Sequence, residues 1–383
     1  MFKRLSSLLL SLLILTSLFL PSASLAELVV SDTPAQPEAA AQEFIPGSRK
    51  VGLENSYWET PMDIRDEAAI WAMLTAPITI VDEHQKKQVL LRAEPRDDAP
   101  AVGDVTGASQ GVHVLETLDN GWSLVEAYSS SFHDSRVKAW NQLVQGYIRT
   151  KLLKTIKVDQ QYGMVVDKLN QRLYIFEDGK LYDTLIVSTG LANERQPYNE
   201  TRSGEFLIVS PVGDFKSDNM VGAYALRFND GDFIHETPYI LRGGNKVFDY
   251  TEPKLGERAS HGCIRVQRKR TSKGTNMRWI WDTFRKHMGA RIIVWEDIQG
   301  RTIPLPDPAL PLYYNTDGGR DYHAGPTCYG VRDKFYPLHQ FTYGELDSAP
   351  YSKLNPCAYC IPPLRVAEIE AINQRNALPK APL

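Results

Sequence analysis

The chain has 383 residues, of which 43% are hydrophobic and 23% are charged, and its formal net charge is −3. This length exceeds what a single compact core usually contains, so more than one domain is expected. The pI near 6.3 lacks the basic excess that is typical of a dedicated nucleic-acid-binding protein. The composition therefore predicts a globular protein of several domains and excludes nucleic acid as an expected partner.

The N-terminus has the three parts of a secretory signal peptide. Lys3 and Arg4 precede an apolar run that extends from Leu8 to Leu20, and Ser24-Leu25-Ala26 is a small-x-small cleavage site. We expect a signal peptide over residues 1–26; an uncleaved anchor is the alternative, although the run is shorter than the roughly 20 residues of a membrane span. Residues 27–55, rich in Ala, Pro, Glu and Gln, are predicted to form a flexible spacer. No transmembrane segment is expected in the mature chain.

Residues 56–156 are predicted to begin with a short helix that ends near Leu74 and packs on the domain that follows it. Short β-type runs then alternate with turn residues, at 78–81, 89–92, 112–115, 122–125 and 146–148. This spacing predicts a small all-β barrel. Residues 128–144 are predicted to be an insertion before the last strand of this barrel.

The central part of the chain contains a cysteine with two histidines near it in the sequence pattern. Ser260-His261-Gly262-Cys263-Ile264-Arg265 follows Ile234-His235 after a long loop. A thiol with an ordinary pKa of about 8.5 needs an imidazole or a positive local field to form a thiolate at neutral pH. The pattern therefore predicts a thiol nucleophile and a histidine base. Around it we expect a β-hairpin that turns at 177–180, a helix over 277–284 and a closing strand over 290–295.

These residues resemble the L,D-transpeptidase (YkuD-type) catalytic domain of bacterial cell-wall enzymes, whose signature is a His, a loop and then Ser/Thr-His-Gly-Cys. Residues 165–167, 171–176, 178–180, 188–190 and 203–206 are similar to that family's opening strands and turns, in the same order. The resemblance implies a mainly β fold, with a YkuD-type β-rich catalytic domain over residues 157–300. Residues 91–95, 120–125 and 146–149 resemble a bacterial SH3-like domain, which serves either as a wall-binding module or as a spacer.

The family resemblance also implies the chemistry and its residues. Cys263 attacks the carbonyl of a peptidoglycan stem tetrapeptide before its terminal D-Ala, and an amine of another stem resolves the thioester into a 3→3 cross-link. His235 is the base, and His261 has an accessory role. Gly262 permits close backbone approach, and the amides around Gly262 and Cys263 are the expected donors to the oxyanion. Catalysis needs no cofactor, and the partners are peptidoglycan stem peptides in the cell wall or periplasm.

Two further residues of the motif are predicted to bind substrate. Arg265 either pairs with a substrate carboxylate or supports the loop, and Ser260 is the other candidate. The loop between His235 and Cys263 is longer than is usual in the family, which bears on the choice of substrate. Two alternatives remain open: an L,D-carboxypeptidase or D-amino-acid exchange enzyme that uses the same thiol, and a catalytically silent wall-binding protein.

The C-terminal part contains a second set of chemically capable side chains. After a Pro-rich linker over 301–312, residues 313–383 contain His323, Cys328, Cys357 and Cys360. Two close pairs of N and S ligands are typical of a closed tetrahedral zinc site, so we predict a small zinc-ribbon-like Cys/His module that holds structural zinc. A disulfide between two of these three cysteines is the alternative, and His339 is an alternative to His323. A short helix is expected near residues 365–378.

Overall fold

The computed structural model describes residues 63–295, 301–328 and 330–377. The predicted signal peptide and spacer lie outside these residues. Within the described part of the chain, every helix is too short or too polar to cross a bilayer.

The N-terminal sheet region consists of seven strands, β1 (Ile78–Val81), β2 (Gln88–Arg92), β3 (Ala101–Thr106), β4 (His113–Thr117), β5 (Trp122–Tyr128), β6 (Leu143–Arg149) and β7 (Leu153–Ile156). The five predicted runs all overlap strands, whereas β3 and β7 were not predicted. Strand β3 has no alternating pattern, because its polar Asp104 is buried together with its apolar neighbours. The antiparallel order is β3-β2-β6-β5-β4, and β1 pairs with β7.

The first helix, α1 (Glu67–Thr75), forms where predicted but packs elsewhere. Asp66 caps it by accepting a hydrogen bond from the Ala69 amide at 3.0 Å. Its buried Ile70 and Leu74 pack against the central sheet, on a cluster formed by Val165, Phe176 and Ile293. The expectation that the helix packs on the N-terminal sheet region is therefore wrong. Gly163 makes room for it, since a Cβ at this residue would lie 2.9 Å from Leu74.

The central domain contains an eleven-stranded sheet made of β8 (Tyr162–Asp167), β9 (Arg172–Glu177), β10 (Lys180–Ser188), β11 (Gly204–Leu207), β12 (Ser210–Ser217), β13 (Met220–Asn229), β14 (Asp232–Glu236), β15 (Tyr239–Arg242), β16 (Asn245–Val247), β17 (Ile264–Val266) and β18 (Arg291–Trp295). Their order is β11-β18-β8-β9-β10-β17-β14-β13-β15-β16, with β12 beside β13. The predicted hairpin is β9–β10, and the predicted helix is α2 (Met277–Phe284). Met277, Ile280 and Phe284 of this helix are fully buried in the core of the sheet.

One parallel strand pair joins the two halves of the sequence motif. Strands β14 and β17 are neighbours, in a register that places His235 beside Arg265. The long loop between them starts with the β15–β16 hairpin and is fixed at its far end, where the Ser188 hydroxyl donates to the Lys254 carbonyl at 2.6 Å. The topology thereby places Cys263, which directly precedes β17, next to the strand that carries His235.

The C-terminal region forms a small sheet and a helix. Strands β19 (Pro311–Tyr314), β20 (Asp321–His323), β21 (His339–Thr342) and β22 (Asn355–Pro356) pair in the order β21-β19-β20-β22, and α3 (Val366–Ala377) is the predicted last helix. The segment predicted as a linker is hydrogen-bonded to its surroundings. The Ile303 amide donates to Asn373 Oδ1 at 2.7 Å, and Leu312 is already part of the core of the small sheet.

Candidate active site

Cys263 lies in the turn just before β17, beside the start of β14. Its Sγ accepts a hydrogen bond from the Phe233 amide at 3.4 Å, and the residue is half-buried. A cavity of about 60 Å³ is lined by Cys263 together with four other predicted site residues, His235, Ser260, His261 and Arg265. The fold therefore collects these five predicted residues around one small cavity.

His235 is buried, with 3% of its surface exposed. Its Nδ1 donates to the Glu236 carbonyl oxygen at 2.6 Å, which leaves Nε2 as the proton-accepting nitrogen. Burial lowers the pKa of His235 to about 4. At neutral pH the imidazole is therefore uncharged and able to accept a proton.

The thiol is also uncharged in the resting state. Burial, with a contribution from the nearby Asp232 carboxylate, raises the pKa of Cys263 to about 12. The Phe233 amide and the guanidinium groups of Arg265 and Arg202 act in the opposite direction. The resting site thus holds a neutral thiol and a neutral imidazole, and the thiolate forms only when the thiol proton is removed.

Gly262 occupies a position that only glycine fits. Its φ is +125°, and a Cβ there would lie 2.4 Å from Asp232 Oδ1 and 3.0 Å from Arg202 Nη1. Its carbonyl accepts a hydrogen bond from the Thr201 hydroxyl at 2.7 Å. The close backbone approach predicted for Gly262 is thus made to a buried ion pair in the protein.

That ion pair is a part of the site which the sequence analysis missed. Arg202 Nη1 and Asp232 Oδ2 lie 3.1 Å apart, and both side chains are almost fully buried. Arg202 Nη2 also donates to the Ser131 carbonyl at 2.8 Å, and its guanidinium lies 4.0 Å from the centre of the Phe132 ring. The predicted insertion of the N-terminal sheet region therefore reaches the turn that holds the thiol. No local pattern around Arg202 indicates this contact.

Ser260 and Gly262 are linked by hydrogen bonds within the turn. The Ser260 hydroxyl donates to the Cys263 carbonyl, and the Gly262 amide donates to Ser260 Oγ at 3.2 Å. The Gly262 amide is therefore engaged inside the turn rather than directed at an oxyanion, contrary to the role expected for it. The hydroxyl of Ser260 is engaged in the same way.

Arg265 places a cation in the cavity. It is 9% exposed, and its side chain makes no hydrogen bond or ion pair with any residue that the structure describes. Burial lowers its pKa, as expected for a charge that lacks a neutralising partner. His261 is exposed at the mouth of the same cavity.

Gly222 was not predicted as a site residue, yet it sets the position of His235. A Cβ at this residue would lie 2.4 Å from the ring of Phe215 and 2.9 Å from His235 Nδ1. Phe215 packs edge-on against His235, with ring centres 5.0 Å apart. A glycine in a strand often marks such a close approach.

The predicted metal ligands lie together in the C-terminal region. The ligand atoms of His323, Cys328, Cys357 and Cys360 are all within 4.8 Å of one another. His339 lies outside this cluster, beside Tyr351, so the proposed exchange with His323 is wrong.

The distances between these ligand atoms fit tetrahedral coordination of one metal ion. The sulfurs of Cys328 and Cys357 are 3.7 Å apart, and Cys360 Sγ is 3.6 Å from His323 Nδ1. Zinc–sulfur bonds of about 2.3 Å give tetrahedral edges of about 3.8 Å. Three backbone amides, of Ala324, Gly330 and Tyr359, donate to the sulfurs at 3.3 to 3.4 Å, and such hydrogen bonds orient and stabilise thiolates that bind a metal.

Comparison with known proteins agrees with the family resemblance. Residues 161–294 match the family model described as "L,D-transpeptidase catalytic domain" (YkuD). A curated relative, "Putative L,D-transpeptidase YciB" of Bacillus subtilis (strain 168), is 28% identical over 127 residues, which are 32% of this chain and 60% of the relative. The chain thus spans less than two thirds of that relative's length.

Solved structures of L,D-transpeptidases are also similar. The enzyme from Mycobacterium smegmatis is 14% identical with a TM-score of 0.29, over 58% of this chain and 92% of that one. The enzyme from Xylanimonas cellulosilytica is 22% identical with a TM-score of 0.26, over 35% of this chain and 60% of that one. The family model and the curated relative together identify residues 161–294 as the part of the chain that is similar to the YkuD-type L,D-transpeptidase catalytic domain.

Proposed function

We propose that the protein is an exported peptidoglycan L,D-transpeptidase that works in the cell wall or periplasm through a thioester on Cys263. The observation that carries the proposal is that His235 lies on β14 and Cys263 directly precedes the neighbouring parallel strand β17, at one cavity that also contains Arg265, a cation whose side chain is unpaired among the described residues. A thiol, a neutral imidazole and a guanidinium are the groups that acyl transfer from a peptide with a free carboxylate requires.

In the first step Cys263 Sγ attacks the carbonyl carbon that precedes the terminal D-Ala. As the C–S bond forms, the thiol proton passes to His235 Nε2, and the Cys263 amide is our candidate donor to the oxyanion. The C–N bond then breaks, and the D-Ala amine leaves with the proton held by His235. The acyl group remains on the enzyme as a thioester.

In the second step an amine of another stem peptide attacks the thioester. His235 accepts a proton from that amine, the new C–N bond forms, and the C–S bond breaks. The proton then returns to the sulfur, so the free thiol is restored and the product is a 3→3 cross-link. Pro238, next to the β15–β16 hairpin, lines the cavity, so we assign control of acceptor access to this hairpin.

We assign Arg265 to the carboxylate of the leaving D-Ala. The guanidinium shares the cavity with His235, which protonates that leaving group. A bidentate guanidinium–carboxylate pair would supply the partner that Arg265 lacks among the described residues.

Mass spectrometry of reaction products tests the proposal. The full chain is incubated with purified disaccharide-tetrapeptide, and Cys263→Ala serves as the control. Dimers that have lost one D-Ala are the expected product. Tripeptide monomers alone would instead establish hydrolysis, and exchange of D-Ala for an added D-amino acid would establish the exchange reaction.

Reactivity of the thiol separates an enzyme from a silent wall-binding protein. We expect a carbapenem to acylate wild-type Cys263 and to leave Cys263→Ala unmodified. A folded wild-type protein that stays unmodified would contradict the enzyme proposal.

We further propose that His323, Cys328, Cys357 and Cys360 bind one structural zinc ion. Its role is limited to stability, because all four ligands come from the protein and no coordination position is left for substrate. Metal analysis of the purified protein should find about one zinc per chain. Disulfide-bonded cysteines without zinc would reject this assignment.

A further inference from the structure

We propose that Arg227 forms a second carboxylate-binding site next to Cys263 and that it holds a carboxylate on the acyl part of the peptide donor. This proposal rests on the proposed function and makes it more specific. It predicts that the substrate carries a negative charge on the portion of the donor that stays on the enzyme.

Arg227 differs from most of the buried cations because its side chain has no carboxylate partner within the described part of the chain. Among the described residues, Lys168, Arg202 and Arg291 are buried and each has a carboxylate partner, Glu200, Asp232 and Glu205 respectively. Arg227 and Arg265 are equally buried, each 9% exposed, but neither side chain makes an ion pair or a hydrogen bond with a residue that the structure describes. Both of these unpaired cations lie near the nucleophile.

The sheet register places Arg227 on the other side of Phe233 from Cys263. Arg227 on β13 is opposite Phe233 on β14, and its guanidinium lies 4.7 Å from the centre of the Phe233 ring. The Phe233 amide in turn donates to Cys263 Sγ. Because β14 lies between β13 and β17, Arg227 is two strands from the thiol, or about 10 Å at the usual strand spacing.

The guanidinium of Arg227 contains an N–H donor that has no acceptor among the described residues. Its Nε is buried and has no hydrogen-bond partner. Asp230 attracts the guanidinium only at longer range, without an ion pair. A desolvated cation without an acceptor is unfavourable, and a ligand carboxylate would correct this at Arg227 as at Arg265.

The positions of the two arginines assign them to different parts of the donor. Arg265 lines the cavity of His235 and so faces the leaving D-Ala. Arg227 is not among the residues that line this cavity, and it lies beyond Phe233. A separation of about 10 Å is covered by about three extended residues, so the retained acyl part of a tetrapeptide is long enough to reach Arg227.

Release of D-Ala in the absence of an acceptor tests this site. Two synthetic donors are compared, one whose acyl part has free carboxylates and one in which these are carboxamides. Wild-type protein should favour the carboxylate donor about 10- to 100-fold in kcat/KM, as charge-assisted hydrogen bonds allow. Arg227→Gln should bring this ratio close to one. The exposed Arg320→Gln is the matched control and should keep the wild-type ratio. Partial misfolding cancels in a ratio measured within one variant.

Two results would overturn the assignment. In one, Arg227→Gln keeps the wild-type preference. In the other, amidation of the donor has no effect, whereas amidation of the carboxylates of the acceptor lowers the rate of cross-linking. That result would place the site on the acceptor side.

If wild-type protein releases D-Ala from neither donor, the proposed function fails but Arg227 is still tested. Calorimetric binding of the two donors to Cys263→Ala should then show the same preference, which the added Arg227→Gln removes. Equal affinity of Cys263→Ala for the two donors would overturn the site itself.

Discussion

Individual side chains of this site are tuned mainly by burial. The pKa of His235 falls to about 4 and that of Cys263 rises to about 12, so both groups are held in their uncharged forms. A neutral pair loses little by desolvation, whereas a thiolate–imidazolium pair would have to be stabilised among buried groups. In the proposed reaction the proton therefore moves during the attack of the thiol and not before it.

The depressed pKa of His235 predicts an acidic limit for acylation. An unperturbed histidine would be half protonated near pH 6.5, but the folded protein should keep His235 neutral down to about pH 4. The rate of Cys263 acylation by a carbapenem should therefore show no loss from His235 protonation above about pH 5. It should fall to half near pH 4, as measured by mass spectrometry. A half-point near 6.5 in folded protein would contradict the burial argument.

Linkage predicts the sign of the stability effect. Because the folded pKa of His235 is below the unfolded value, the unfolded chain binds more protons between pH 6.5 and 4. This contribution to the free energy of unfolding is complete above pH 6.5 and falls by about 3 kcal/mol as pH decreases to 4. Urea unfolding of wild type and His235→Gln at several pH values isolates the contribution of His235. Asp232 and Glu236 have pKa values raised to about 6, so their contributions to the free energy of unfolding change with pH in the opposite direction.

Gly222→Ala should weaken catalysis by displacing the base. The added methyl group would overlap the ring of Phe215 and crowd His235 Nδ1, and such overpacking costs about 1–3 kcal/mol. We expect at least a 10-fold lower rate of Cys263 acylation. Gly325→Ala, whose Cβ would make only an ordinary contact at 3.8 Å, is the control. Equal rates in both variants would show that Phe215 moves aside freely.

At the scale of elements, the insertion between β5 and β6 supports the turn that carries Cys263. Ser131 and Phe132 hold the guanidinium of Arg202, and Arg202 with Asp232 fills the space under Gly262. Removal of one member of such a buried pair is strongly destabilising, because it leaves the other charge unpaired. The N-terminal sheet region is thereby coupled to the position of Cys263.

A double-mutant cycle measures this coupling. Arg202→Met alone should lower the free energy of unfolding by about 3 kcal/mol and slow the acylation of Cys263. Adding Asp232→Asn should recover part of the loss, since no unpaired charge then remains. Denaturant unfolding of the two single variants and the double variant provides the numbers. Strictly additive effects would mean that the ion pair does not act as a unit.

In the whole molecule, the Cys/His cluster is attached to the central domain. Gln267 donates to the Ala358 carbonyl at 3.3 Å, and the Ser272 amide donates to the Tyr359 carbonyl at 3.1 Å. Ala358 and Tyr359 lie between the cluster residues Cys357 and Cys360, and Gln267 directly follows β17. The cluster is thus joined to the strand that Cys263 precedes.

Removal of metal should therefore destabilise more than the C-terminal region. With a strong chelator we expect the Tm of the wild-type protein to fall by about 5 °C or more, and Cys357→Ser should have a similarly low Tm without chelator. Added zinc should restore the wild type only. A Tm that is insensitive to the chelator in reduced protein would contradict the zinc assignment.

Local sequence was sufficient where local forces decide the structure. Apolar spacing indicated α2, and the turn at 177–180 between two β-rich runs indicated the hairpin β9–β10. The motif around Cys263, together with His235, named five of the residues that line the cavity. Only the tertiary structure decided the rest. The packing of α1 on the central sheet, the contact of Arg202 with Asp232 and the unpaired state of Arg227 all depend on residues distant in sequence. Burial and ion pairing depend on residues that are distant in sequence, so they cannot be predicted from a local sequence pattern.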